Sequence, residues 1–285
     1  MKLVSFTVTN DLERYGILTE HGVIELGTRL GDTCPTLAAA LAHFTPAQLA
    51  MYESEQIDYA LSDIRYLPVI PHPGKILCIG MNYAQKRKEF DADSEAPTLF
   101  VRFSDSQAAH EQALIKPRCT QQFDYEGELA LVIGKAGRHI APEHAYSHIA
   151  GYSPYMDGSV RDWQHSWYTA GKNWPQTGGF GPYLVSADEV VDPHALGIQT
   201  RINGECLQHD TTGHMIRCIP ELIAYISSFT PLSPGDVILT GSPGGVGKSY
   251  TPPRYLQPGD VIEVEIDGLG VLRHAVIEED DTAMQ

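Results

Sequence analysis

Hydrophobic and polar residues alternate over short runs through much of this chain, which is typical of β-strands. The clearest runs are residues 3–8, 15–18, 23–26, 261–266 and 271–277. Residue pairs that favour turns separate them, namely Asn10-Asp11, His21-Gly22 and Asp267-Gly268. The pattern predicts an α+β protein that is mainly β, with hairpins at both ends of the chain.

Helical patterns are short. Residues 37–44 form one, and a second begins with Thr45 as N-cap and Pro46 at the first helical position. A group of turn-forming residues follows, Pro68, Pro71, Pro73 and Gly74. We place a boundary there, which predicts a small N-terminal α/β domain over residues 1–70 and a main domain over residues 71–285.

Composition limits the classes of function. The 285 residues are 42% hydrophobic and carry a net charge of −16, with 36 acidic against 20 basic residues. This charge disfavours binding to nucleic acid or to an anionic membrane. No apolar run reaches the length of a signal peptide core or a membrane span, so we expect a cytoplasmic protein. The five cysteines include no Cys-x-x-Cys pair, which argues against a disulfide framework and a zinc cage.

A glycine-rich stretch, TGSPGGVGKS at residues 240–249, looks like a phosphate-binding loop. Such a loop has a glycine five residues before its Gly-Lys-Ser and a helix after it. Here that position is Ser242, and Pro252-Pro253 prevents a helix from starting where the phosphate would need one. The sequence therefore predicts that this stretch binds no nucleotide.

The strongest candidate for chemistry is DYEGELALVIG at residues 124–134. If it is one strand, then Asp124, Glu126 and Glu128 lie on one face with the apolar Ala130 and Val132. Carboxylates that enter a buried strand repel each other unless a cation lies between them, and a divalent cation with oxygen ligands would serve. A solvated acidic strand end would show the same pattern.

Three weaker candidates accompany this strand. A helix that began near Gly158 would put Asp157, Arg161 and Gln164 on one side, although an ordinary surface Asp-Arg pair would look the same. Lys86 and Glu89 would share a helical face, and Lys172 stands in AGKNW. Lysine side chains are mostly solvated, so neither Lys86 nor Lys172 indicates a functional site unless a partner residue lies beside it.

In order and spacing, four segments of the chain resemble the fumarylacetoacetate hydrolase superfamily over about residues 75–275. They are GMNYAQKRKE at 80–89, DYEGELALVIGK at 124–135, GYSPYMDGSVRD at 151–162 and LSPGDVILTGSPGGVG at 232–247. The resemblance implies a mixed β-sheet roll and a homodimer. It also implies that the glycine loop is an active-site wall, where small residues let the backbone approach an oxo-acid ligand.

The same resemblance implies roles for individual residues. It implies that Glu126, Glu128 and Asp157 are ligands of Mg²⁺ or Mn²⁺. It implies that the substrate-binding residues are Arg161, Gln164, Thr240 and Gly241. It implies that the catalytic residues are Lys86, Glu89 and Lys172. The chain departs from the family at one of these positions, because Lys86 stands where hydrolytic members usually have a histidine. A neutral imidazole can take a proton from water near pH 7, whereas an ordinary lysine cannot.

These features predict a metal-dependent enzyme that acts on a 2-oxo or 2,4-dioxo acid, with hydrolytic cleavage of a carbon–carbon bond through a metal-bound enolate as the main interpretation. Two alternatives stay open. One is decarboxylation, tautomerisation or dehydration of a related oxo acid, which needs the same enolate but no attacking water. The other is a non-catalytic protein that binds a metal or an oxo acid. The identity of the oxo acid does not follow from the sequence.

Overall fold

The computed structural model describes residues 1–9, 12–92, 95–165 and 167–280, and within them it is an α+β fold that is mainly β. The strands are β1 (Lys2–Thr7), β2 (Arg14–Leu18), β3 (Val23–Glu25), β4 (Arg65–Tyr66), β5 (Ile76–Gly80), β6 (Thr98–Arg102), β7 (Gln107–Ala109), β8 (Leu114–Lys116), β9 (Phe123–Asp124), β10 (Gly127–Ile133), β11 (Ile149–Asp157), β12 (Ser159–Val160), β13 (Gly178–Phe180), β14 (Leu184–Ser186), β15 (Gly197–Ile202), β16 (Glu205–Thr211), β17 (Val237–Leu239), β18 (Val261–Ile266) and β19 (Gly270–Glu278).

The helices are short, as predicted. The α-helices are α1 (Gly27–Leu30), α2 (Leu37–His43), α3 (Pro46–Leu49), α4 (Ala84–Glu89), α5 (Thr169–Lys172) and α6 (Ile219–Phe229). Single 3₁₀ turns lie at Ala50–Tyr52, Leu61–Asp63, Ser104–Ser106, Arg161–Trp163, Ala187–Glu189, Thr212–His214 and Gly247–Ser249, with a longer one at Pro142–His148. Within the described ranges, no helix is both long and apolar enough to cross a membrane.

Local signals near the N-terminus produced the predicted elements. Strands β1, β2 and β3 pair antiparallel in succession. The predicted turn at Asn10-Asp11 lies outside the described residues. Thr45 caps α3 in a capping box with Gln48, because each side chain bonds the other residue's backbone N–H. At the C-terminal end β18 and β19 form the predicted hairpin.

One large mixed sheet organises the molecule. In the described residues it has twelve strands, along the path β3-β2-β1-β14-β11-β10-β17-β5-β6, with β4, β7 and β13 paired beside it. Neighbours are antiparallel at β10–β11 and β10–β17 but parallel at β17–β5. A five-stranded sheet, β16-β15-β18-β19-β8, and the pair β12–β9 complete the roll. Since β1 pairs with β14, residues 1–70 extend the main sheet, and a domain boundary at residue 70 stays a prediction.

Strand β10 lies at the centre of the large sheet, and every residue in it is buried. Its side chains alternate between two hydrophobic clusters. Ala130 and Val132 pack in the cluster that includes Leu37 of α2, while Leu129 and Leu131 pack in the cluster that includes α6. Both faces are therefore covered, which explains why the strand is almost continuously apolar after Glu128.

Two predicted elements were wrong in detail. Residues 124–134 are not one strand, because β9 ends at Asp124, β10 begins at Gly127, and the two belong to different sheets. No α-helix begins near Gly158. That segment forms β12, which pairs with β9, and then the 3₁₀ turn Arg161–Trp163. The long strand β11 continues to Asp157, so the backbone is still extended where the helix was expected.

Candidate active site

Three carboxylates meet where β10 begins and β11 ends. Oxygen atoms of Glu126, Glu128 and Asp157 lie within 4.8 Å of one another. The antiparallel register sets Gly127 opposite Met156, and the Asp157 N–H donates to the Glu126 carbonyl at 2.8 Å. All three side chains are buried, with Glu126 the most exposed at 4%. This burial rules out the solvated acidic strand end that the sequence left open.

Three cations surround Glu126. Its Oε1 accepts from Arg161 Nη2 at 2.6 Å and lies 2.9 Å from Lys86 Nζ. Its Oε2 accepts from Lys172 Nζ at 3.0 Å, and the same ammonium is hydrogen-bonded to Asp157. Burial alone would raise the pKa of Glu126, but Lys172, Lys86 and Arg161 hold it well below its usual range. The three cations therefore favour the ionised form of Glu126.

Glu128 has a different environment. Its Oε2 accepts a hydrogen bond from the Gly241 N–H at 2.8 Å, and in the described part of the chain it makes no ion pair. Burial and the negative charges of Asp157 and Glu126 raise the pKa of Glu128 well above its usual range. A carboxylate in this position lacks a cation.

These donors fit a hard divalent cation. The cluster offers only oxygen ligands, as Mg²⁺ and Mn²⁺ prefer, and it is buried. The repulsion that raises the pKa of Glu128 is relieved if a cation binds between the three carboxylates. Glu126, Glu128 and Asp157 are thus placed together as the sequence predicted, and their chemistry suits the predicted metal.

The glycine loop holds carboxylates of the protein itself. Asp124 accepts from the Gly247 N–H at 2.7 Å, from the Lys248 N–H at 3.1 Å and from Arg161 Nε at 2.7 Å. A Cβ atom on Gly247 would lie 2.6 Å from Asp124 Oδ1 and 2.2 Å from the carbonyl oxygen of Arg254, so only glycine fits there. The backbone N–H groups that suggested a phosphate site are occupied by Asp124, and no α-helix follows them.

Lys86 and Glu89 both belong to α4, as predicted, but they do not act as a pair. Lys86 is 3% exposed and turns inward to Glu126 and to the hydroxyl of Ser242. Glu89 is exposed, and its carboxylate accepts from Gln85 and from the Gly245 N–H at 3.0 Å. The helix therefore directs the two side chains to different partners.

Two other predicted substrate-binding residues, Thr240 and Gln164, differ in whether their hydrogen-bond donors already have a partner. The Thr240 hydroxyl is buried and donates to the Leu129 carbonyl at 2.9 Å, so its proton is already engaged. Gln164 is half-buried, and its Nε2 atom has no hydrogen-bond partner among the described residues. A buried donor of this kind stays unsatisfied unless an acceptor from outside these residues reaches it.

Sequence reasoning missed Arg102. This side chain on β6 is fully buried and donates to Asp157 Oδ1 at 2.6 Å, to the Gly158 carbonyl at 3.0 Å and to Thr177 Oγ1 at 3.0 Å. One signal could have revealed it. Arg102 follows Phe100 by two residues and therefore shares its inward face, and an arginine on such a face needs a buried anion.

Comparison with known proteins places these features in a family. The family model described as "Fumarylacetoacetate (FAA) hydrolase C-terminal" matches residues 75–277. An oxaloacetate tautomerase of Xenopus laevis, fahd2, named as mitochondrial, is 40% identical over 230 residues, which cover 79% of this chain and 72% of the relative. The oxaloacetate tautomerase YisK of Bacillus subtilis is 40% identical over 226 residues, covering 76% and 75%.

A solved structure agrees with these matches. The fumarylacetoacetate hydrolase of the psychrophilic Exiguobacterium antarcticum superposes with a TM-score of 0.82 at 32% identity, over 98% of this chain and 100% of that one. Since similar chains include a mitochondrial protein, the cytoplasmic location stays a prediction, as does the homodimer.

Proposed function

Because the chain belongs to the fumarylacetoacetate hydrolase family, we propose that it is a divalent-metal-dependent keto–enol tautomerase of 2-oxo acids, of the oxaloacetate type. The observation that carries this proposal is the environment of position 86. A buried lysine, ion-paired with Glu126, stands where hydrolytic members have a histidine, and Glu89 is bonded elsewhere. Similarity to relatives named oxaloacetate tautomerases supports the same reaction.

Hydrolysis and tautomerisation make different demands on an active site. Hydrolysis of a carbon–carbon bond needs a base that activates water and then an acid for the leaving carbon. Tautomerisation only moves a proton between C3 and the 2-oxo oxygen of one substrate. An ammonium group that is ion-paired with Glu126 donates hydrogen bonds but takes no proton from water. The hydrolytic function predicted from the sequence is therefore the less favoured alternative.

The remaining residues would bind and orient the oxo acid. Arg161 and Lys172 are bonded to carboxylates of the protein, so they hold the ligand cluster in place and add little free positive charge. Gln164 offers a free amide donor, and the backbone at Gly241 lines the site next to Glu128. A bound Mg²⁺ or Mn²⁺, held by Glu126, Glu128 and Asp157, would supply positive charge for the substrate carboxylate and for the enolate.

The test is a panel of 2-oxo acids assayed for keto–enol interconversion and, in parallel, for carbon–carbon bond cleavage, with Mg²⁺, with Mn²⁺ and with a chelator. We expect wild-type protein to accelerate the interconversion of oxaloacetate or a related 2-oxo acid in a metal-dependent manner. Cleavage of acylpyruvates that is faster than tautomerisation would refute the proposal.

A variant at position 86, where this chain differs from the hydrolytic pattern, sharpens this test. Lys86→His puts an imidazole near the carboxylates, so we expect hydrolysis of an acylpyruvate to appear or rise. Lys88→His is the matched control, because Lys88 lies on the same helix but is exposed to solvent. Equal effects of the two substitutions would show that the identity of residue 86 does not select the reaction.

A further inference from the structure

Gln208 on β16 is a buried amide that joins the two sides of the candidate active site, and sequence reasoning did not single it out. The residue is 1% exposed. Its Oε1 accepts a hydrogen bond at 2.9 Å from the N–H of Gly127, which lies between two of the predicted metal ligands. Its Nε2 donates to the carbonyls of Pro243 and Gly244, at 3.0 and 3.3 Å, in the glycine loop. One side chain therefore contacts both the strand that carries the carboxylates and the loop that lies beside them.

The end of β17 explains why an amide side chain is needed at this point. The Thr240 N–H donates to the Leu129 carbonyl at 3.0 Å, so the backbone groups of Leu129 face β17. Backbone groups alternate in direction along a strand, and those of Gly127 therefore face the same side. The residue after Thr240 has already left the sheet, because its N–H donates to a carboxylate side chain. The amide of Gln208 takes the place beside Gly127 that a further residue of β17 would occupy.

The five-stranded sheet lies very close to the backbone on both sides of this amide. A Cβ atom on Gly127 would lie 2.2 Å from Thr200 Oγ1, and Thr200 is the residue of β15 that pairs with Gln208. A Cβ atom on Gly245 would lie 2.4 Å from the carbonyl oxygen of Leu207. Only glycine fits at either position, so the strand and the loop both pack directly on the sheet that carries Gln208.

We propose that Gln208 is a positioning residue that fixes the separation between the metal-binding carboxylates and the glycine loop, so that a bound 2-oxo acid meets both in the reactive geometry. This inference rests on the proposed tautomerase function. Among the described residues, the side chain of Gln208 bonds only backbone groups, so it acts through the strand and the loop and not on the substrate itself. A misplacement of about 1 Å in an active site costs a factor on the order of 10² in rate, which is why a fixed separation matters.

The experiment compares Gln208→Met with Gln107→Met. Methionine fills a similar space but makes none of the three hydrogen bonds of Gln208, so we expect kcat for oxaloacetate tautomerisation to fall by about 10²-fold with little change in KM. The substrate would still bind the metal, whereas the reactive geometry would be lost. Gln107 is the matched control, because it is also buried and its Nε2 donates to two carbonyls outside the site, those of Ile70 at 3.2 Å and Pro71 at 3.3 Å.

Urea unfolding and Mn²⁺ affinity separate a positioning role from a structural one. Both glutamine variants should lose stability, because each leaves buried backbone groups without partners, but only Gln208→Met should lose kcat. Gln208→Met should also bind Mn²⁺ as wild type does, since the three carboxylates remain. Wild-type kcat in Gln208→Met, or equal losses of kcat in the two variants, would overturn the inference and leave the proposed function standing. Weakened Mn²⁺ binding would also overturn it, because the amide would then hold the ligands themselves.

A shorter amide tests whether the length of the side chain matters. Gln208→Asn keeps the donor and the acceptor but is one methylene shorter, so it cannot reach Gly127 and the loop carbonyls together. We expect it to lose kcat as Gln208→Met does, and it decides the inference if Gln208→Met does not fold. A wild-type rate in Gln208→Asn would show that no spacing is set by this side chain.

Oxalate binding tests Gln208 independently of turnover. Oxalate resembles the enolate of a 2-oxo acid, so its affinity should follow kcat and not KM. We expect Mn²⁺-loaded wild type to bind oxalate at least about tenfold more tightly than Gln208→Met does. If wild type accelerates no tautomerisation, the proposed function fails, and oxalate then decides the inference. Equal oxalate affinities, or no oxalate binding by wild type, would refute the positioning role of Gln208.

Discussion

Arg102 provides the sharpest test of how the site is held together. Arg102→Met removes the guanidinium from a fully buried ion pair with Asp157 and also leaves the Gly158 carbonyl and Thr177 hydroxyl without their donor. Removing one partner of a buried ion pair costs about 3–5 kcal/mol, and the lower end of this range applies here because Lys172 still pairs with Asp157. A loss of about 3 kcal/mol lowers Tm by roughly 5 °C in a chain of 285 residues.

The assay is urea unfolding with a chelator present, so that bound metal does not contribute to stability. Arg254→Met is the matched control, because Arg254 makes two hydrogen bonds to Glu205 of 2.7 and 2.6 Å, but both partners are solvent-exposed. Exposed pairs contribute little, so the control should barely move the urea midpoint. Equal destabilisation by the two substitutions would refute the argument that burial makes the Arg102 pair essential.

Three further outcomes are expected. Glu128→Gln should abolish Mn²⁺ binding measured by calorimetry. The control Glu263→Gln should leave Mn²⁺ binding unchanged, because Glu263 lies on β18 in an ion pair near the surface. Retained affinity in Glu128→Gln would exclude Glu128 as a ligand. Burial lowers the pKa of His274 from 6.5 to about 4. The stability that this neutral histidine contributes is complete above pH 6.5, and the free energy of unfolding should fall by about 3 kcal/mol as the pH drops through 4. His274→Phe should flatten that dependence in urea unfolding, and an equally steep fall in the variant would contradict this cause. Lys248→Ala should keep turnover within about twofold, and wild type should bind no ATP, because the backbone N–H groups of the loop already donate to Asp124. Micromolar ATP binding that the substitution removes would overturn this interpretation.

Short-range features were predictable because their causes are local. The N-cap at Thr45 and the hairpin of β18 and β19 depend on residues a few positions apart, and both formed as expected. The segment after Asp157 was predicted wrongly as a helix. Its side-chain spacing suited a helix, but pairing of β12 with the distant β9 kept the backbone extended. Tertiary pairing overrode a weak local pattern there.

The sequence by itself determined which groups are available for chemistry. It identified Glu126, Glu128 and Asp157 as carboxylates that need a cation, and Lys86 as the departure from the hydrolytic pattern. The need for a cation follows from residue type and spacing, since carboxylates in an apolar strand demand compensation wherever that strand lies. The full ligand set and the departure at Lys86 are what the family resemblance implied.

Only the tertiary structure decided which charge compensates which. Lys86 pairs with Glu126 across forty residues and not with Glu89 on its own helix, and Arg102 reaches Asp157 from another strand. Sheet pairing brings the ends of β10 and β11 together with the loop after β17, and the surrounding core removes water from them. Once water is excluded, a buried charge must take the nearest opposite charge in space, whatever its separation along the chain.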